Sequence, residues 1–457
     1  MRSKRQHPHL VLIALAVVVV SMTVASGGGV ARAAILDPSA SPTWTLMFAN
    51  PGNDAATDAV MTPALTWVCG QSSTVDHSLD ATLIRIVNGT SVSSTHSYDG
   101  PAHQNDAAYD VAARGSWIYT SGATRRAADN LDLLVVRWTP AGAVKWARSY
   151  GSAGKNPDVG VDVGVDGKGN VVACGTRTGA NGEDWIVVSW SPTGTRRWLW
   201  TYNGAADVAD TPREMYVDKT GNTYVTGLSW VSAATNACVT VKLSPSGKRL
   251  WLRKYTGPEG TGAFGQALAA CPGGGVYVGG FTREIATGMD GMLLRYSARG
   301  KRTVYAAYSG GGASPVEEIH AIAVARGGAI VGVGRAVNAS DDPLRIVWSP
   351  AGSILDHDID TTVPPYGDAW TDVAADGVGG YCMTGTWPNA PSDLSVRTFR
   401  ESTFVDSGQW AYVWDGPVDT KANIPNAVAA NGTSYVVVGA YEAVGGGMNQ
   451  FVQFWRY

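Results

Sequence analysis

A glycine closes an apolar segment at positions 70, 122, 175, 227, 280, 334, 385 and 439, with spacings of 52, 53, 52, 53, 54, 51 and 54 residues. A repeat this regular constrains the chain more than any local motif, because each unit must be a copy of one small supersecondary structure. The third unit shows the parts. Segment A is "DVGVDVGVD", segment B "NVVACG", segment C "DWIVVSW" and segment D "RRWLWTY". All four are short and strand-like, and turn residues separate them.

Between A and B lies "DGKGN", and between C and D lies Ser191-Pro192-Thr193-Gly194. Proline presets φ and glycine accepts a positive one, so both are tight turns. The second turn recurs as "TPAG" at Thr139 to Gly142, "SPSG" at Ser244 to Gly247 and "SPAG" at Ser349 to Gly352, and a Trp follows its glycine by four residues at Trp146, Trp198 and Trp251. Four antiparallel strands in about 50 residues cannot cover both faces of their own sheet, whereas radial stacking gives each sheet two neighbours. In "DVGVDVGVD", Val159, Val161, Val163 and Val165 are expected to share one packed face, with Gly160 and Gly164 keeping the other narrow.

The units resemble those of secreted bacterial β-propeller repeat proteins, read approximately as Asp, apolar strand, "VDxxGNxYVxG", Asp, apolar strand, "SPxG". "YVDKTGNTYVTG" at Tyr216 to Gly227 carries the match best, while "ARGGAIVGVG" and "AANGTSYVVVG" in units six and eight depart from it and predict different turns. The resemblance implies a fold and no activity. The first segment, Thr43 to Phe48, is D-like and the last, Asn449 to Trp455, is C-like. The expectation is therefore an all-β, eight-bladed β-propeller of four-stranded blades, closed by an N-terminal outer strand, with seven blades as the alternative.

Residues 1–33 read as a secretory signal peptide: Arg2, Lys4 and Arg5, an apolar stretch from Leu10 to Val20, then Ala31-Arg32-Ala33. Residues 34–42 read as a short linker and 43–457 as one propeller domain. The product is expected outside the cell, with association with the envelope left open and no stable membrane insertion after cleavage. Charged residues are only 16% and the formal net charge is −3, which gives nucleic acid no electrostatic foothold. The five scattered cysteines, with no CxxC pair, read as buried small side chains.

If A is innermost, the A–B and C–D turns share one face, and the variable B–C loops and D–A crossovers share the other, where binding residues concentrate. Two acidic series mark strand A at that face. The outer one is Asp54, Asp106, Asp158, Asp210, Glu317 and Asp368, broken at Ala263 and Ala422; the inner one is Asp58, Asp110, Asp162, Glu214 and Asp372. Even spacing places both on the same side of a strand. They either ring a cation or basic ligand or accept backbone N–H groups that lock blade to blade. A third series opens strand C at Asp80, Asp132, Asp184, Asp290, Asp342 and Asp393, with Asn236 and Asn449, as strand-entry caps. Trp230 and Trp387 are candidate aromatic contacts for a ligand, and Arg125 with Arg126 a solvated pair.

Catalytic signatures are missing. "GTGAFG" at Gly260 to Gly265 sits in a crossover without the βαβ context a dinucleotide needs, no GxSxG occurs, and His77, His96, His103, His320 and His357 show no metal spacing. In Asp158 to Asn170 the acids fall at positions 1, 5 and 9, not at the 1, 3, 5 and 12 of a calcium loop. "SPTGTRRW" is similar to the tryptophan-docking repeat of eight-bladed quinoprotein dehydrogenases, but the adjacent Cys pair of those enzymes is lacking. The function expected is an exported binding scaffold with a ligand site on the variable face, monomeric, taking a protein, glycan or small molecule. No cofactor is predicted, calcium is the one left open, and metal ligands are unassigned. The alternative is an extracellular carbohydrate-active or quinoprotein-like enzyme.

Overall fold

The structure is a computed structural model, and it describes residues 42, 44–48, 54–63, 65–73, 78–87, 91–127, 130–152, 157–179, 181–310, 316–337, 341–360, 368–390, 393–402, 410–414, 422–432, 434–442 and 448–456. The signal-peptide expectation and all of the linker but residue 42 lie outside them. The described strands fall into four-stranded antiparallel units, in seven hydrogen-bonded sheets; one sheet joins two units through a single parallel bridge, Met289 to Val316. In chain order, units 1 to 7 span residues 55–98, 106–150, 158–202, 211–255, 263–308, 316–359 and 369–414. Unit 8 takes Asn423–Asn431, Ser434–Glu442 and Met448–Arg456 from the C-terminal end and Trp44–Phe48 from the N-terminal end, Trp44 pairing Phe454. The fold is a β-propeller, and the expected closure by an N-terminal outer strand holds.

The units pack face to face around a ring. Each seam holds its own apolar cluster, such as Val135, Trp146, Val163 and Ile186 between units 2 and 3. Unit 8 returns onto unit 1 through Val436, Val452, Val68 and Ile84. Each such side chain taken from water contributes about 1.5–3 kcal/mol, so the seams supply the main driving force. All five cysteines are buried free thiols, as expected.

At the seams of units 2/3, 3/4 and 4/5 the recurrent Trp is a latch. The Nε1–H groups of Trp146, Trp198 and Trp251 donate to the carbonyls of Pro192, Pro245 and Ala298 in the next unit's C–D turn, at 3.1, 3.0 and 3.2 Å. The turn glycine lies flat on the indole: a Cβ on Gly247 would stand 2.6 Å from Trp198, and its φ is +80. Blade packing therefore accounts for the turn-and-Trp pattern.

Every innermost strand carries a β-bulge. In unit 3 Gly160 pairs Gly175 and Asp162 pairs Cys174, leaving Val161 unpaired. The recurrent glycine stands opposite. A Cβ at Gly175 would lie 2.0 Å from the Val159 carbonyl oxygen, and at Gly334 1.9 Å from that of Glu318, so only glycine fits beside the bulge.

The bulge corrects three expectations, because one extra residue turns every later side chain to the other face. Val161 packs toward unit 4 whereas Val163 and Val165 pack toward unit 2, so the four valines do not share a face. The outer and inner acids likewise point to opposite sides. By position before the bulge, the outer series continues at the buried Asn423, not at Ala422. Turn geometry also differs from expectation. Unit 6 keeps the standard A–B turn, Ala325 N–H donating to Ala329 and Gly328 N–H to Ala325, while unit 8 closes tighter, with Asn431 pairing Ser434.

Candidate functional site

The outer acids are buried at the start of their innermost strands, each 0–1% exposed. All but Asp368 hold backbone N–H groups with their carboxylates. Asp158 accepts from the N–H of Ser152 in the incoming crossover and of Thr178 at the end of strand B (3.2 Å). Asp210 accepts in the same way from Gly204 and from Trp230 (3.0 Å), and Asp106 from Gly100 (2.5 Å). Asp54 takes Ser73 (2.7 Å) and Glu317 takes Gly310 (2.9 Å). Burial raises Asp106, Asp158 and Asp210 above the usual carboxylate range despite these bonds, and pushes Glu317 up to about 7.

The inner acids line the middle of the ring and reach forward to the next unit's innermost strand. Asp58 accepts from Val111 N–H, Asp110 from Val163, Asp162 from Met215, Glu214 from Leu268 and Asp372 from Val428, at 2.6–3.1 Å. Bulge residues return the grip: Thr57 and Asn426 donate to the carbonyls of Ala108 and Ala56, at 2.8 and 2.7 Å. All five acids keep partial solvent contact. Loss of bulk water, first, and neighbouring carboxylates raise Asp58 and Asp110, and push Asp162 and Asp372 up to about 7 and Glu214 to about 8. Among the described residues no three His, Cys, Asp or Glu side chains are grouped to hold a metal ion.

The repeat breaks at the seam of units 6 and 7. In strand C the residue facing the recurrent glycine is Thr82, Leu134, Ile186, Val239, Met292, Leu344 and Phe451 in the other units, but Arg397 in unit 7. Arg397 is 6% exposed. Its Nη1 pairs with Asp360 at 2.6 Å, and its guanidinium lies 4.1 Å from the Trp387 ring centroid and 5.2 Å from that of Trp370. One position later along strand C, Arg345 in unit 6 replaces the Leu83, Val135, Val187 and Leu293 of units 1, 2, 3 and 5. It meets Asp356 at 2.9 Å and Glu401 at 3.3 Å, and Tyr381 donates its hydroxyl to Glu401 at 2.5 Å. Asp356 pairs Val347 where Trp146, Trp198 and Trp251 pair Arg137, Ser189 and Lys242. At this seam an ion-pair cluster stands where the seams of units 2/3, 3/4 and 4/5 have the indole latch.

Asp368 completes the cluster. It is 0% exposed, and both carboxyl oxygens are without hydrogen-bond partners. Pro388 accounts for one of the missing donors. In units 1, 3 and 4 the N–H three residues past the recurrent glycine, of Ser73, Thr178 and Trp230, binds the outer acid. In unit 7 that residue is a proline, which has no N–H. Burial, and then the charge of Asp342, push Asp368 up to about 7, with Arg397 pulling the other way.

Of the two candidate tryptophans, Trp387 belongs to this cluster. Trp230 stands in unit 4 and is half-buried, its backbone tied to Asp210. Arg126 pairs with Asp132 at 3.2 Å, so Arg125 and Arg126 do not act as one solvated pair. Asp132, Asp184 and Asp290 are buried at strand C entries, as caps would be. His77 lies outside the described residues, as does the Asp393 side chain. On the opposite, short-turn face a depression of about 560 Å³ opens between turns, lined by Tyr277, Arg295, Arg326 and Pro350. It holds no carboxylate, so it lacks the acid and base that the seam brings together. Arg345, Arg397, Asp360 and Pro388 were not singled out in the sequence; the signal was an arginine in an apolar C-strand register.

No family model matches the sequence, and no curated protein matches it. Solved structures that the chain resembles are β-propellers. The polysaccharide lyase Uly1 aligns with 10% identity over 79% of this chain and 91% of its own, at a TM-score of 0.48. The periplasmic gluconolactonase of Pseudomonas aeruginosa aligns with 11% identity over 79% and 98%, at 0.45. The β-propeller domain of the trilobed protease of Pyrococcus furiosus aligns with 9% identity over 75% and 94%, at 0.41. At these identities the likeness shows the fold alone.

Proposed function

We propose that this chain is an exported, eight-bladed propeller related to secreted bacterial repeat proteins, and that it binds a hydroxyl-rich ligand, a carbohydrate, at the loop end of the seam between units 6 and 7. The observation that carries this is Asp368, a buried carboxyl without a hydrogen-bond partner, to which Pro388 denies the N–H that binds its counterparts in units 1, 3 and 4. A buried polar group without a partner costs about 1–3 kcal/mol, and a ligand hydroxyl would relieve that cost. Trp387 adds an aromatic surface and Arg397 a charged donor, the mix of apolar platform and few polar groups that small-molecule sites use.

Calorimetric titration of the mature protein with a panel of neutral and acidic oligosaccharides tests this. One member should bind, and Trp387→Ala and Asp368→Asn should each weaken it at least tenfold while the thermal transition survives. Equal affinity in both variants, or no binder in the panel, overturns the proposal.

A second reading, a carbohydrate-active enzyme, is favoured by the same carboxyl. A group titrating at about 7 carries a proton at neutral pH and can lose it, as a general acid or base must. Under that reading Asp368→Asn abolishes turnover of the bound glycan and leaves its binding within a few-fold.

A further inference from the structure

The outer rim of the ring is electrically lopsided. In units 2 to 5 the C–D turn and outermost strand occupy residues 139–150, 191–202, 244–255 and 297–308. Together these hold eleven Lys and Arg and not one Asp or Glu. The same stretch of unit 6, residues 349–360, holds Asp356, Asp358 and Asp360 and no Lys or Arg. A net charge of −3 for the whole chain hides this separation. All eleven basic side chains are exposed, and none makes a described ion pair. Soluble surfaces ordinarily intersperse the two signs; a single-sign field over four successive units attracts counter-charge.

We propose that this rim is a docking face for a linear acidic polysaccharide. The basic residues follow the convex edge of the ring over four consecutive units, and a flexible chain can follow that curve from one outermost strand to the next. A flat bilayer would touch only the part of a convex edge nearest to it. Aromatic side chains lie between the charges, with Trp200 stacked on Tyr202 at 6.1 Å and both half-buried, as sugar rings require and phosphate headgroups do not. The face is separate from the seam of units 6 and 7, so its occupancy does not depend on the ligand proposed there.

Binding of polygalacturonate and of dextran sulfate, against neutral dextran of matched length and phosphatidylglycerol vesicles, tests the proposal. Both anionic polymers should bind and neutral dextran should not. Affinity should fall at least tenfold between 50 and 300 mM salt, because charge contacts release counterions. Arg196→Gln, Lys248→Gln, Arg249→Gln and Lys301→Gln, combined, should cost a further tenfold or more; none of these side chains makes a described contact, so the fold should persist. The control variant Lys168→Gln, Lys219→Gln, Arg283→Gln and Arg326→Gln removes equal charge elsewhere and should bind as the parent does. Equal losses in the two variants, vesicle binding in preference to the polymers, or no polymer binding overturns the proposal.

Discussion

The seam between units 4 and 5 and the seam between units 6 and 7 solve one packing problem in opposite ways. At the first, Trp251 lies on Gly300 and donates to Ala298, Glu214 holds Leu268 N–H, and apolar side chains fill the rest. At the second, Asp356 and Arg345 stand where an indole and an apolar residue would be, Arg397 stands where other units have mostly apolar side chains, and Ala321 takes the place of the inner acid. Buried ion pairs are weak contributors to stability, since desolvation offsets most of their attraction. A repeat that keeps an apolar cluster at this seam and still sets buried arginine ion pairs into it has a reason other than stability at that place.

The largest effect expected is on the latch. Trp251→Ala removes a buried indole and its hydrogen bond and should cost about 3–5 kcal/mol in urea unfolding; Trp251→Phe, which keeps the bulk, should cost about 1 kcal/mol. A loss below 1 kcal/mol for the alanine variant would mean that the latch does not hold the seam. Next comes Arg345→Leu, which restores what units 1 and 5 carry. It takes the guanidinium away from Glu401, which is 6% exposed and keeps the Tyr381 hydroxyl, and should cost about 3 kcal/mol. Adding Glu401→Gln should recover much of that loss. Failure to recover would show the charged seam to be as indispensable to folding as the latch, and would remove the contrast between them.

How much of this was legible in advance follows from where each feature leaves its mark. The repeat, the C–D turns and the closing strand are written in Gly, Pro and apolar spacing, which local conformation reads directly. The bulge is not. Its unpaired residues, among them Thr57, Tyr109, Val161, Arg213 and His320, share no chemistry, and its only trace is the glycine on the neighbouring strand. Parity along strand A therefore misplaced the acids. The isolation of Asp368 was out of reach for a related reason: Pro388 matters only because its backbone would otherwise meet a carboxyl 20 residues earlier in sequence.

The inner acids give a smaller test that separates the seams by pH. The folded-state value of Asp162, about 7, lies above its unfolded value, so the folded protein holds more protons between the two. That contribution is complete below about 4 and is lost as pH rises through 7. The latch seams between units 2 and 5 contain an inner acid, whereas at the seam of units 6 and 7 Ala321 stands in that position and the raised carboxyl is the outer Asp368. Asp162→Asn, which keeps an acceptor for Met215 N–H, should match the parent near pH 4 and exceed it by about 1 kcal/mol at pH 8.5, the partial solvent contact having damped the effect. Parallel pH profiles for the two proteins would show that this carboxyl does not carry the extra proton.

The smallest effect bears most directly on why the charged seam exists. Pro388→Ala returns the N–H that binds the outer acid in units 1, 3 and 4. A hydrogen bond to a charged group contributes about 1.5–3 kcal/mol, and removing proline gives back about 0.4–1 kcal/mol of unfolded-state entropy, so a net gain of about 1 kcal/mol is expected at pH 8. The Asp368 carboxyl, followed by carbon NMR, should fall from about 7 toward the ordinary range, and affinity for the seam's ligand should fall with it. A variant that becomes more stable while binding less well would place Asp368 on the side of function, its isolation retained at a cost to the fold. If stability falls and the carboxyl keeps its high value, the proline is there for the turn alone, and the seam of units 6 and 7 differs from its neighbours only in how it packs.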